Sequence, residues 1–459
     1  MKMTKQLIYD NVRALAPLCR EICRRLWENP ETGGNEKLSA DYLREIMKNE
    51  GFAVINEERL PHAFYAEYGS GAPVIAVLGE FDALPGLSQR CSAERGPVTP
   101  DAPGHGCGHN LLGAASATAS IAVKRLLEQE KLSGTVRFYG CPEEELLSGK
   151  VKMAYYHMFD GCDLALSWHP MFANMVHDEG YLASASVKFY FTGLSSHAAL
   201  SPEKGRSALD AVELMSVGCN YLREHVMDSA RIHYSTDSGG FAPNIVPSKA
   251  GAWYFVRAPH MADVKDILAR IEKIAQGAAL MTETEVRMEI EYGCYELFGN
   301  RRLTDLTYEN LCEAEQPVFT EEELALAKAL QAEVDPALLK HDEETYGTSL
   351  PVFTGVAPRF LGEKAPLTAS SDSGDVSQLM PTSAFTTSCW PVGCAPHTWQ
   401  TTAASGSGIG EKGALYAAEV IAGTAYDLLT RPELCEEIKK EFQEKKKGSY
   451  VPMYQEPNR

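Results

Sequence analysis

The sequence predicts an α/β protein: one discontinuous domain around a mixed sheet, interrupted by an inserted α+β domain of ferredoxin-like order. Three observations predict it. Short apolar runs of strand character surround a long helical pattern in the first 183 residues. From about Ser184 the pattern changes to a β-α-β-β-α-β-like order. After about Asn300 the α/β pattern of the first part resumes, which makes 1–183 and 298–459 two parts of one domain and 184–297 the insert.

The first 50 residues read as an amphipathic helix, a turn at Asn29-Pro30-Glu31-Thr32-Gly33-Gly34, and a second helix from Lys37 to Asn49. Strand-like runs follow at Ala63–Tyr68, Val74–Leu78, Thr135–Tyr139 and Asp163–Ser167, with a helix over Leu111–Glu130 between the second and third. Such an arrangement favours a mainly parallel sheet, whose ligands collect at the carboxyl ends of the strands. In the insert, SASVKFYFTG alternates as a strand, a helix covers Ser207–Glu224, and strands at Gly251–Val256 and Val286–Tyr292 flank a helix at Ala262–Ala278. Helices near Glu321–Ala332 and Ala414–Leu429 and a charged terminal helix at Glu433–Lys446 complete the reading, and there is no internal repeat.

Composition narrows the function. The 459 residues are 44% hydrophobic and 23% charged, as expected of a folded chain. A formal charge of −19 disfavours nucleic-acid and anionic-membrane partners, which call for a basic face. The longest weakly polar run, Leu111–Val123, is too short to span a bilayer, and the N-terminal residues show no signal-type apolar stretch. A cytoplasmic location is the expectation. Twelve scattered cysteines then read as reduced thiols, mostly buried.

Several segments carry chemistry. Gly104-His105-Gly106-Cys107-Gly108-His109-Asn110 puts two histidines and a cysteine on a glycine-rich loop opening a helix. It is either a metal loop or a plain turn. Cys141-Pro142-Glu143-Glu144-Glu145 follows a strand, and three adjacent carboxylates repel one another unless something cationic neutralises them. Ser167-Trp168-His169-Pro170 follows the next strand, and Cys394-Ala395-Pro396-His397-Thr398 places another histidine before a helix. Imidazole, thiolate and carboxylate are the donors that zinc or manganese accepts. Asp82, again just after a strand, is placed to orient a ligand. Two decoys fail: Gly406–Gly413 lacks P-loop spacing, and Cys389, Cys394 and His397 lack the second half of a zinc knuckle.

In order, GEFDALPG, GHGCGHNLLG, PEEELLSGK, SWHP, GLSSHAALSP, NIVP and HTWQ resemble the amidohydrolase branch of the aminoacylase/carboxypeptidase-type di-metal peptidases, over residues 8 to 430. The resemblance implies that Cys107, His109, Glu145, His169 and His397 bind two divalent ions, zinc or manganese, with cobalt a third candidate. It implies Glu144 as general base, Asp82 beside it in the catalytic set, and His197 as a lid residue reaching the scissile carbonyl, often from a neighbouring subunit. Asn244 and Arg257 match positions that hold a substrate carboxylate, and the insert becomes a lid and dimerisation domain. The implied reaction is hydrolysis of N-acyl or N-aroyl amino acids by a homodimer, or by a heteromer with a related subunit. A dipeptidase or aminoacylase on aliphatic substrates, or a non-catalytic metal-binding subunit, are the alternatives. Two positions depart from the related peptidases: Glu80 stands where they place a metal-binding histidine, and Asn110 replaces an aspartate common among the amidohydrolases. His105 is read as hydrogen-bonding nearby in preference to ligating, and Asp375 as either an orienting acid or a helix cap.

Overall fold

Two helices, α1 (Gln6–Ala14) and α2 (Ala16–Glu28), open the chain and meet at Leu15, where Pro17 starts a new first turn. The computed structural model describes residues 5–178, 181–364, 369–454 and 456. After α3 (Lys37–Asn49) come β1 (Ala53–Glu57), β2 (Leu60–Ser70), β3 (Val74–Glu80), α4 (His109–Glu130), β4 (Gly134–Cys141), α5 (Gly149–Tyr155), β5 (Leu164–Met171) and β6 (Met175–Val176). A second set follows: β7 (Ala183–Thr192), α6 (Ala208–Leu222), β8 (Arg231–Ser238), β9 (Lys249–Ala258), α7 (Met261–Thr282) and β10 (Glu285–Cys294). The chain ends with α8 (Arg301–Glu313), α9 (Glu321–Leu330), α10 (Pro336–Tyr346), α11 (Arg359–Lys364), α12 (Ser373–Leu379), β11 (Thr382–Ser388), α13 (Trp399–Ser405), α14 (Gly408–Thr430) and α15 (Pro432–Lys445).

These elements form two compact units. One lies within residues 1–180, 298–366 and 376–450, the other within 181–297, 367–375 and 451–459. The larger unit holds a seven-stranded sheet ordered β1-β2-β4-β3-β5-β11-β6. Its central strands β4, β3, β5 and β11 run parallel, while β1, β2 and β6 pair antiparallel at the flanks. The sheet is therefore mixed: three of the four expected strands lie in its parallel part, the run at Ala63–Tyr68 is antiparallel, and β11 joins the parallel part without having been expected. Helix α4 is buried along almost its whole length. Its small residues permit close approach, and a Cβ on Gly113 would lie 2.8 Å from the Glu80 carbonyl. Buried hydroxyls on α4 are satisfied locally, Ser116 donating to the Leu78 carbonyl at 2.6 Å.

The smaller unit is a four-stranded antiparallel sheet ordered β10-β7-β9-β8, with α6 and α7 packed on it. This is the ferredoxin-like order that the β-α-β-β-α-β pattern implies. Two short segments from outside the insert join it: Leu182 donates to the Ala369 carbonyl at 2.9 Å, and Gly293 bridges Met453. Asp375 accepts from the Tyr295 backbone at 2.9 Å, a tie within this unit. Among the described residues no helix is long and apolar enough to cross a membrane.

Candidate metal centre

The carboxyl ends of the parallel strands build the site, all of it within the larger unit. Strand β3 ends at Glu80, in register with Cys141 at the end of β4, and β5 carries His169 near its own end. Two loops close over this edge. Gly108 caps α4 in the left-handed region at φ 74°, which lets Cys107 and His109 lie on either side of the turn. The Gly106 carbonyl accepts from the His397 backbone at 3.0 Å and from Thr401 Oγ1 at 2.8 Å, tying the two loops together. His397 itself sits at φ 63°, a conformation that non-glycine residues adopt only when their surroundings enforce it.

The side chains converge. Donor atoms of Cys107, His109 and His169 lie within 4.8 Å of one another, as do those of Cys107, Glu145 and His397, and those of Glu80, His109 and Glu144. Ligand atoms sharing one ion at bonds of about 2.0–2.3 Å sit a few ångströms apart, so these groups have metal-site dimensions. Cys107 Sγ is 3.4 Å from His169 Nε2, whose Nδ1 donates to the Pro170 carbonyl at 2.7 Å. That bond leaves the Nε2 lone pair directed at the cluster. His397 Nε2 is 3.6 Å from Glu145 Oε2, and His397 is 52% exposed, so the centre opens to solvent on that side. Asp82 Oδ1 accepts from His109 Nδ1 at 2.8 Å, and Oδ2 accepts from the Glu145 backbone at 2.8 Å.

Among the described residues, three buried atoms of this centre have no hydrogen-bond partner: His109 Nε2, Glu145 Oε1 and Glu80 Oε2. Unsatisfied buried polar atoms cost roughly 1–3 kcal/mol each, and three facing one space call for a cation. Electrostatics agree. Burial and the adjacent Glu145 push the Cys107 thiol well up, and burial also raises Glu145. Burial works against a charged His109, yet Cys107 and Asp82 raise it well above its ordinary range. Asp82 is itself held low, against burial, by His109. Burial and His109 push His169 down to about 4, leaving a neutral donor. The protons on Cys107, His109 and Glu145 are those that a divalent ion displaces. The donor set fits such a group.

Glu80 is more than a gap in the histidine pattern. Its Oε1 takes an ion pair at 2.7 Å from Lys150, a fully buried residue of the first turn of α5, while Oε2 lies 3.4 Å from His109 Nε2. Sequence reasoning missed Lys150. The available signal was charge: Lys150 and Lys152 follow three consecutive acids, and Lys152 pairs with Glu143. His105 lies outside the three donor groups. Burial pushes it down to about 3, and its Nε2 donates to the Leu26 carbonyl at 3.1 Å. Asn110 likewise ties helices, donating to the carbonyls of Cys23 and Ser405.

The smaller unit carries the remaining predicted residues. His197 is exposed, and its Nδ1 accepts from the backbones of Ala199 and Leu200, which frees Nε2 to donate outward. Asn244 is adjacent, its carbonyl accepting from the Ala198 backbone at 3.0 Å. Arg257 is elsewhere. It stands near the far end of β9, paired with Ser184 and Arg231, whereas Asn244 precedes the start of that strand. Eight residue steps of strand separate Lys249 from Arg257, roughly 26 Å at about 3.3 Å per step.

Residues 182–282 match the peptidase dimerisation domain of M20 enzymes. The chain is 42% identical to one of the subunits of p-aminobenzoyl-glutamate hydrolase from Escherichia coli, over 97% of this chain and 96% of that one. The chain belongs to the M20 peptidase family. Like other M20 hydrolases it is an enzyme acting on C–N amide bonds. Two solved structures share the fold. A dinuclear metal-binding M20 peptidase of Bacillus subtilis aligns with a TM-score of 0.58 and 17% identity, over 91% of this chain and 99% of that one. An aminobenzoyl-glutamate utilization protein of Klebsiella pneumoniae aligns with a TM-score of 0.58 and 16% identity, over 92% and 98%.

Proposed function

We propose that this M20 enzyme hydrolyses the amide bond of N-aroyl or N-acyl amino acids, p-aminobenzoyl-glutamate being the substrate its Escherichia coli relative names. The carrying observation is the convergence of Cys107, His109, Glu144, Glu145, His169 and His397 around buried donor atoms that no protein group satisfies. Two divalent ions, zinc, manganese or cobalt, would be held by Cys107, His109, Glu145, His169 and His397. When bound they supply Lewis-acid polarisation and a water of lowered pKa.

The chain's own residues do the rest. Glu144 accepts the proton of the attacking water and passes it to the leaving nitrogen. Asp82 fixes the tautomer and orientation of His109 and holds the Glu145 backbone. His197 donates from Nε2 to the oxyanion, a contribution of roughly 3–4 kcal/mol for a well-placed donor. Arg257 offers two parallel N–H groups to a carboxylate, and Asn244 a single amide. Their separation along β9 supports a site completed by two protomers, because one carboxylate cannot reach both ends of one strand. The partner is a second copy or a related chain, and the compartment is the cytoplasm.

Chelation should abolish hydrolysis of N-(4-aminobenzoyl)-glutamate, with zinc, manganese or cobalt restoring it. Glu144→Ala should keep its bound metal, measured by atomic absorption, and lose about 100- to 10,000-fold in turnover, the range of general-base catalysis. Turnover within a few-fold of the native enzyme would remove Glu144 from that role.

A further inference from the structure

A cavity of about 450 Å³ lies beside the metal centre and shares His397 with it. One wall is the segment 86–101, the other is the start of α13 at Thr398–Gln400. The first wall is fixed by its own hydrogen bonds. Ser88 donates to the Ala102 carbonyl at 2.9 Å and Arg90 to the Gly96 carbonyl at 3.0 Å. The buried Gln89 amide accepts from Gly96 at 2.9 Å and donates to the Glu94 carbonyl at 2.8 Å. On the other wall a capping box between Thr398 and Thr401 fixes the first turn of α13, and Trp399 packs against the main core. A cavity ordered in this way need not be organised at the moment of binding.

The lining selects a chemical class. Trp399, Pro97 and Pro100 bring ring side chains to the lining, Arg95 and Asp101 carry opposite charges, and Gln400 adds an amide. With its charges balanced, the cavity offers no excess cation to hold a lone carboxylate. Ring side chains with a polar fringe suit a planar conjugated group. The volume falls in the range that takes small organic groups.

We propose that this cavity is the subsite for the acyl half of the substrate, that it takes a planar aromatic acyl group, and that Trp399 determines that specificity. The proposal rests on the amide-hydrolase reading above. Saturation-transfer NMR of the full-length, metal-free protein with 4-aminobenzoate tests binding alone. Native protein and Trp399→Phe should saturate the ring protons, and Trp399→Leu should lose most of the signal. Arg95→Ala, in the exposed wall, should weaken the signal too, and it decides the matter if Trp399→Leu does not fold. In the metal-loaded enzyme, Trp399→Leu should raise KM for N-(4-aminobenzoyl)-glutamate about tenfold while leaving N-acetylglutamate within about twofold. Equal NMR signals in native, Trp399→Leu and Arg95→Ala proteins would overturn the subsite. A native enzyme that hydrolyses neither substrate would overturn the amide-hydrolase reading, and the NMR result would still decide the cavity.

Discussion

Asp82 is buried and uses both carboxylate oxygens inside the centre, one toward His109 and one toward the backbone of Glu145. Two proposed ligands thus share one brace. Asp82→Ala should weaken metal binding about 10- to 100-fold, as loss of a ligand-orienting carboxylate does, read by equilibrium dialysis against zinc. Unchanged affinity would mean that the loops hold His109 and Glu145 without it. Glu36 braces the same region from behind: fully buried, it accepts from the Glu143 backbone at 2.7 Å and pairs with His62 Nδ1 at 3.1 Å. Burial, with Asp82 adding to it, pushes Glu36 from 4.5 up to about 8. A carboxyl raised in the folded state contributes stability that is complete below 4.5 and is lost as pH rises toward 8. Glu36→Gln removes that loss. The Tm of Glu36→Gln minus that of the native chain should therefore grow by a few degrees between pH 5.5 and 8.5. A difference independent of pH would contradict the shift. At this scale the sequence was most legible where residue type names chemistry, as at Cys107 and His169. It was least legible at Lys150, since a fully buried lysine is recognised only with its partner in view.

The elements that bear the site start and stop where backbone crowding dictates. Helix α5 begins at Gly149, where a Cβ would stand 1.7 Å from the Pro142 carbonyl. Backbone leaves no room there, so the loop carrying Glu143, Glu144 and Glu145 is folded back onto the helix start. Gly149→Ala should displace that loop, cost roughly 1–3 kcal/mol of stability and reduce metal occupancy, measured by denaturant melts and metal analysis. A variant with native stability and native metal content would show that the loop can yield. Strands read from apolar runs (β2, β3, β4, β5, β7 and β9) were visible because their buried faces are largely hydrocarbon, and β10 because Val286 and Met288 pack half-buried on the core of the smaller unit. Strand β11 was not, although it is fully buried, because it reads TSAFTTS, and some of its hydroxyls are hidden by bonding: Thr386 to the Ala173 carbonyl, Thr387 to the Gly413 carbonyl. Strand β8 escaped for the opposite reason: it is an exposed polar edge.

For the whole molecule, the separation of Asn244 from Arg257 within one unit supports the proposal that two protomers complete each site. If His197 acts across a dimer, mixing Glu144→Ala chains with His197→Ala chains restores sites that neither has alone. With free exchange of protomers about a quarter of all sites should be complete, and activity should rise to about that fraction of native. Mixtures as inactive as their components would place each site in a single chain. The formal charge of −19 means that, on the proposed reaction, a substrate carboxylate has to approach against the general field of the chain.

Strand β5 has β3 on one side and β11 on the other, with the whole inserted unit between β5 and β11 in sequence. On the ribosome, Cys107, His109, the three consecutive acids and His169 emerge first, and β11 and His397 only after the insert. At roughly 5–20 residues per second, the nascent chain spends on the order of tens of seconds with β5 unpaired on one edge and the last ligand not yet made. The centre is therefore completed late in translation, and a chain released before residue 397 can supply every other proposed ligand but never close the set.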